Sequence, residues 1–179
     1  MSFLESRTYQ NLMTAYEKEL MISTQNLIKA DTARNEGYIE IGVVYDTTAK
    51  HNKEHARIWL RQLSEGTLPT TLENLQESAE DELEMSNVVY QEFARVAREE
   101  GYDQIAGLFS GVGNIDQNQH AEFRVLAGDL ALGDFFCRTK DILWVCMQCG
   151  NIMQAKCAPR ICPVCGFPQG YYSEYVPTV

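Results

Sequence analysis

Several things are scarce in this 179-residue chain, and each scarcity excludes something. No run of about 20 apolar residues occurs, so a membrane-spanning helix is not expected. The start, MSFLESRTYQ, is polar and does not read as a secretory leader. A soluble, cytoplasmic protein is expected. Positive charge is in short supply, with 15 Lys and Arg against 25 Asp and Glu, a net charge of −10. That excludes nucleic acid and anionic membrane as expected partners. Histidine occurs three times, as His51, His55 and His120, and never in the last 59 residues. Cysteine is missing from the first 136 residues.

All six cysteines crowd into the last 43 residues: Cys137, Cys146, Cys149, Cys157, Cys162 and Cys165. The tail from 146 onward carries Lys156, Arg160 and Glu174, a net charge of +1, which leaves −11 on the remainder. An acidic body with a near-neutral tail points to two modules with different jobs.

The body reads as four helices. Apolar residues at helical spacing place the first over about 8–33, and Asn35-Glu36-Gly37 looks like its stop. The second runs over about 38–63 and ends toward Gly66. Thr70 or Thr71 can cap the third, which runs to Glu100 and stops at Gly101. The fourth covers about 103–132, with Gly111 and Gly113 in its middle read as close packing or a kink. Four helices of this length with short links predict an antiparallel bundle. The expected division is a bundle over 1–135, a linker over 136–142 and a cysteine module over 143–179.

Within the tail, Cys146-x-x-Cys149-Gly pairs with Cys162-Pro-x-Cys165-Gly across twelve intervening residues. Each loop can turn two thiolates toward one ion, and four sulfurs suit a tetrahedral site for iron, with zinc as the alternative. So short a segment has too little core to fold without its metal. Clustered CxxC pairs of this kind read as ligands before disulfides. Cys137 and Cys157 lie outside the pairs and read as small buried hydrophobes or idle thiols, with a redox-active or intermolecular role as the alternative.

The stretches NLMTAYEKE (11–19), NKEHA (52–56), TLENLQESAEDE (71–82) and EFARVAREEGYDQIAGLF (92–109), together with the two CxxCG loops, resemble the rubrerythrin family. The resemblance covers nearly the whole chain. It implies a mainly α fold: a ferritin-like four-helix di-iron bundle followed by a rubredoxin-like FeCys4 domain. It further implies a homodimer, an electron-donating reductase and peroxide as substrate, in defence against oxidative stress. Cys146, Cys149, Cys162 and Cys165 then hold iron.

The family's bundle ligands map onto this chain incompletely. Glu19 stands where the first helix supplies its Glu. The second helix reads Asn52-Lys53-Glu54-His55 where Glu-x-x-His is expected. The third reads Glu82-Leu83-Glu84-Met85 where Glu-x-x-Glu is expected. The fourth reads Gln117-Asn118-Gln119-His120 where Glu-x-x-His is expected. Three carboxylate positions are thus filled by Asn52, Met85 and Gln117. Two divalent ions in a dry core need carboxylates to offset their repulsion, and Glu19 and Glu82 supply only two charges. At about 100° per residue, His51 and Asp116 stay near the faces of His55 and His120 and can substitute.

The set Glu19, His55, Glu82 and His120, with His51 and Asp116, therefore reads as a remodelled site for iron or another divalent metal. Ser23, Asn26, Thr48 and Ser86 are read on the same inner faces. The alternative is a metal-free centre of hydrogen-bonded ion pairs. Tyr16, one turn before Glu19, reads as core. The acidic run around Glu77, Glu80, Asp81 and Glu84 reads as a solvated face. Three functions follow in order: a peroxide-reducing oxidoreductase, a rubredoxin-type electron carrier whose bundle is scaffold, and a structural zinc protein.

Overall fold

A computed structural model describes residues 2–177. Helix α1 spans Arg7–Asn35, α2 Ile39–Leu63, α3 Thr71–Glu84, α4 Tyr90–Glu99 and α5 Asp103–Leu132. Strands β1 (Cys137–Cys146), β2 (Ile152–Cys157) and β3 (Tyr172–Glu174) follow. The four helices read from the sequence are all present. The third is α3 and α4 joined through a π-helical stretch, Met85–Val89. Such a stretch inserts a residue into the helical ladder without ending it. By contacts the chain divides into two units, Met1–Pro69 and Thr70–Val179.

In the first unit, α1 and α2 form a hairpin. Ser6 caps α1 by accepting a hydrogen bond from the Tyr9 N–H at 3.1 Å. Apart from Asn26 on α1, the buried residues are Ala or Gly: Ala30 and Ala33 on α1, Gly42, Ala49 and Ala56 on α2. Small side chains let two helix backbones approach closely. A Cβ at Gly42 would sit 3.3 Å from the Ala30 carbonyl oxygen. The Ser23 hydroxyl donates to the Ala49 carbonyl at 2.9 Å, which pins the two helices in register.

In the second unit, Thr70 and Glu73 close a capping box at the start of α3. Tyr90, Phe93 and Phe109 pack ring on ring between α4 and α5, over buried Ala94, Ala97 and Ala106. Gly113 is buried against Ser86 and Tyr90 (a Cβ there would meet both), so close packing explains this glycine. Nothing lies within 4 Å of a Cβ at Gly111.

The sheet has the order β2-β1-β3, antiparallel throughout. Two findings depart from the sequence reading. Most of 136–142, read as a linker, belongs to β1, because β1 reaches back to pair Cys137 with Cys157. Those two cysteines are also not idle thiols: they form a disulfide across the β1–β2 ladder. Local sequence could not show this, since the pairing joins residues 20 apart. Arg138 then ties the sheet to α5. Its guanidinium pairs with Asp129 at 3.2 Å and with Glu174 on β3, and lies 5.8 Å above the Trp144 ring. Among the described residues, no helix is long and apolar enough to cross a membrane.

Candidate metal centre

Two tight loops build the site, and they are built alike. In the first, the Cys146 N–H donates to the Asn151 carbonyl (2.9 Å) and the Gly150 N–H to the Cys146 carbonyl (2.8 Å). In the second, the Cys162 N–H donates to the Phe167 carbonyl (2.8 Å) and the Gly166 N–H to the Cys162 carbonyl (2.9 Å). Each loop turns back through a glycine in the left-handed region, with φ of 76° at Gly150 and 75° at Gly166. A side chain there would be strained, which accounts for Gly after each CxxC.

The four sulfurs lie within 4.8 Å of one another. Cys146 and Cys165 are 3.7 Å apart, as are Cys149 and Cys162. A tetrahedral ion with bonds of about 2.3 Å to sulfur sets its ligands about 3.8 Å apart. The donor set therefore fits a single tetrahedral metal. All four cysteines are free.

The electrostatics agree. Tyr172, whose hydroxyl lies against Cys162, and the N–H groups of Cys165 and Val164 hold the Cys162 thiol down to about 6. The Phe167 N–H works to lower Cys165, but burial and the neighbouring sulfurs outweigh it and push that thiol up to about 12. Four adjacent sulfurs cannot all ionise without a cation among them, and a bound metal removes that conflict. Cys146 and Cys162 are buried with Trp144, Ala158 and Tyr172, while Cys149 is exposed.

The helical candidates are found in both units. On α1 and α2, the Glu19 carboxylate accepts a hydrogen bond from the Asn52 amide at 2.7 Å and lies 3.5 Å from His55 Nδ1. The Asn26 amide in turn donates to the Asn52 carbonyl oxygen at 3.2 Å. Asn52 thus faces α1, whereas His51 is exposed. Thr48 is exposed as well and bonds its own helix at the Val44 carbonyl.

In the second unit, Asp116 and Ser86 are buried and Gln117 is exposed. Of Asp116 and Gln117, the positions four and three before His120, Asp116 is the one turned inward. Burial, and then the carboxylates of Asp116 and Asp81, hold Glu82 above the usual carboxylate range. His120 Nδ1 lies 2.6 Å from the Ala79 carbonyl oxygen. A carbonyl only accepts, so Nδ1 carries a proton and Nε2 is the ring nitrogen left to face a ligand. Among the described residues, the four cysteines are the only group of three or more His, Cys, Asp or Glu that could share an ion.

A raised Glu82 has a consequence for stability. Well below the ordinary carboxyl range, folded and unfolded chains both hold the proton. As pH rises, the folded chain gives it up less readily, so the cost appears and stays at neutral pH. In metal-free protein, Glu82→Gln is expected to raise the thermal midpoint at about pH 7 and to leave it unchanged at about pH 3. A lowered midpoint at neutral pH would show that the Glu82 carboxylate makes a net favourable contact.

Sequence reasoning placed Asn26 on an inner face but did not pair it with Asn52, and it missed two participants: Tyr172 beside Cys162 and Arg138 at the junction. Tyr172 meets Cys162 only through strand pairing and packing. No local motif marks Arg138.

Comparison with known proteins converges on one family. Residues 10–123 match the rubrerythrin family and residues 144–173 match the rubrerythrin rubredoxin-like domain. The chain is 32% identical to a rubrerythrin of Porphyromonas gingivalis over 178 residues, covering 93% of this chain and 89% of that one. It is likewise 32% identical to a rubrerythrin of Clostridium perfringens over 188 residues, covering 97% and 96%. A solved structure of nigerythrin in a mixed-valence state aligns with a TM-score of 0.36 at 21% identity, covering 95% of this chain and 87% of that one. The fold class is mainly α, of ferritin-like type, followed by a small rubredoxin-like domain whose cysteine cluster suits iron. With both halves matched in the same order along nearly its full length, this chain belongs to the rubrerythrin family.

Proposed function

We propose that this protein is a non-haem iron oxidoreductase that takes up electrons at Cys146, Cys149, Cys162 and Cys165 and delivers them to peroxide. The observation that carries the reading is the pair of 3.7 Å sulfur separations, which match the edge of a tetrahedral metal–thiolate site. Iron bound there supplies one-electron transfer without a change of ligands. The protein's part is to hold the four sulfurs fixed. Tyr172 and the N–H groups of the two loops stabilise negative charge on sulfur, and Trp144 with Ala158 keeps water from Cys146 and Cys162. The exposed edge at Cys149 is the side open to an electron donor. Met147, Ile161 and Val164 stand exposed on the same two loop regions and give a donor protein an apolar rim to dock on.

In the helices, each unit has its own proposed donors to a divalent metal: Glu19 and His55 in the first, and Glu82, Asp116 and His120 in the second. His120 is prepared for this by the Ala79 carbonyl, which holds Nδ1 and leaves Nε2 open. The protein is read as cytoplasmic and as a homodimer. Leu27 and Ile28 on α1, Val44 on α2, and Leu108 and Val125 on α5 are half or more exposed, which supports assembly with a second copy.

A second reading, a rubredoxin-type electron carrier with a helical scaffold, is favoured by the hydrogen-bonded chain Asn26–Asn52–Glu19. That chain satisfies the Asn52 amide and a Glu19 oxygen without any metal.

Metal content per chain and peroxide-dependent oxidation of reduced protein separate the two. More than one metal per chain is expected. His120→Ala should lose the metal of the second unit's helices, keep the visible band of the four-cysteine iron, and slow peroxide turnover about tenfold or more. One iron per chain with no peroxide turnover would overturn the peroxide-reducing reading and leave the carrier.

A further inference from the structure

Two cysteines stand outside the four-sulfur site, and the fold brings them together. Cys137 opens β1 and Cys157 closes β2, and they face each other in the antiparallel ladder with their Cα atoms 4.0 Å apart. Cys157 is exposed and Cys137 half-buried, so small molecules reach the pair from solvent. The ladder is irregular just beyond it. Five residue steps on β1, from Cys137 to Ile142, match two steps on β2, from Cys157 to Ala155. Residues 138–141 stand opposite the single residue Lys156, an excess of three that bulges the strand, and the disulfide clips the base of that bulge.

The surroundings keep the pair in place when the sulfurs are not bonded to each other. The Ala158 N–H donates to the Phe136 carbonyl at 2.8 Å, and the Gln169 amide donates to the Ala158 carbonyl at 2.6 Å. Ala158 itself is buried in the module's core. These bonds hold residues 136 and 158 together on the far side of the cysteines. Reduction therefore leaves two thiols still opposed, and the bond can re-form without refolding.

We propose that Cys137 and Cys157 are a second redox site of the dithiol–disulfide class, oxidised by hydrogen peroxide and reduced by a dithiol. In the oxidising direction the Cys157 sulfur, the more exposed of the two, attacks one peroxide oxygen. An S–O bond forms, the O–O bond breaks, and the departing oxygen leaves as water. The Cys137 sulfur then attacks the Cys157 sulfenic acid, an S–S bond forms, and the second oxygen leaves as water. Two thiols and one peroxide give one disulfide and two waters. The sulfurs lose two electrons and the peroxide gains them. In the return direction a dithiol reductant takes over the disulfide through a mixed disulfide and is itself oxidised.

The bulge that this bond clips begins with Arg138, whose side chain joins α5 to β3 through Asp129 and Glu174. The redox state thus acts on the junction between the helix and the metal module, and leaves the four metal-binding sulfurs alone. The site is separate from peroxide chemistry at any helical metal, and its test reads thiols instead of turnover.

The test uses full-length, iron-loaded protein. It is reduced with dithiothreitol, freed of reductant, exposed to one equivalent of hydrogen peroxide, alkylated and digested. The expected product is the Cys137–Cys157 linked peptide, two hydrogens lighter than the two thiol peptides. It should disappear again with dithiothreitol under native conditions, while the visible band of the four-cysteine iron persists. In Cys137→Ser the expected product is a sulfenic acid on Cys157, trapped by dimedone. The double variant Cys137→Ser/Cys157→Ser should keep its iron and show neither product. Full alkylation of both cysteines after excess peroxide would overturn the proposal. So would crosslinks to the metal-site cysteines in place of this one. A Cys137–Cys157 bond that native dithiothreitol cannot open would overturn it too, since the bond would then be a fixed staple.

Discussion

Replacing Cys162 with serine is expected to remove one iron per chain, abolish the visible thiolate band, and unfold the C-terminal module while the helices remain. Cys162 is the buried sulfur whose thiol is held lowest, with Tyr172 and two N–H groups directed at it. It ionises most readily, and its loss leaves a buried hydroxyl that binds iron poorly. The module's own core is five buried residues, two of them metal-site cysteines. So small a core cannot fold the segment unaided, and metal binding to such a site contributes on the order of 10 kcal/mol or more. Far-ultraviolet circular dichroism should barely change, because the five long helices lie before residue 133. Iron analysis and near-ultraviolet circular dichroism should change almost completely. A Cys162→Ser protein that keeps one iron per chain, and a folded module, would refute the four-sulfur assignment.

The next largest effect is expected at Trp144. Its ring is 2% exposed and sits at the centre of the module's core, beside Cys146, Cys162 and Tyr172. Its indole N–H donates to the Ala155 carbonyl on β2 at 3.1 Å. Trp144→Ala removes the largest apolar surface in the module and opens a cavity next to the metal sulfurs. The expected loss is about 3–5 kcal/mol, read as a lower midpoint for iron release on heating or in denaturant. Trp144→Phe keeps much of the apolar contact but strands the Ala155 carbonyl, and should cost about 1–3 kcal/mol. Equal midpoints for Trp144→Ala and the unaltered protein would show that iron and the Cys137–Cys157 bond alone hold the module.

Much of this was legible beforehand because it rests on local rules. Helical periodicity, Thr70 with Glu73, and stops at Gly37, Gly66 and Gly101 are decided within a few residues of themselves. So are the two CxxCG loops, because a tight turn and its glycine are a local bargain between φ and hydrogen bonding. The pairing of one loop with the other also followed from chemistry, since four thiolates close together need a cation.

The sequence by itself therefore determined the family, the helices and the four-cysteine centre. Only the tertiary structure decided what depends on distant residues meeting. It turned Cys137 and Cys157 into a bonded pair, since a ladder register brings together residues 20 apart. It set Asn52 rather than His51 against Glu19, and buried Asp116 while leaving Gln117 exposed. Positions three and four before a histidine differ by one helical step, and only the packing of the neighbouring helix selects between them. It oriented the His120 ring through the Ala79 carbonyl on another helix. The physical reason is the same in each case: backbone turns are governed by neighbours in sequence, while a side chain's partner is chosen by whatever element packs against it.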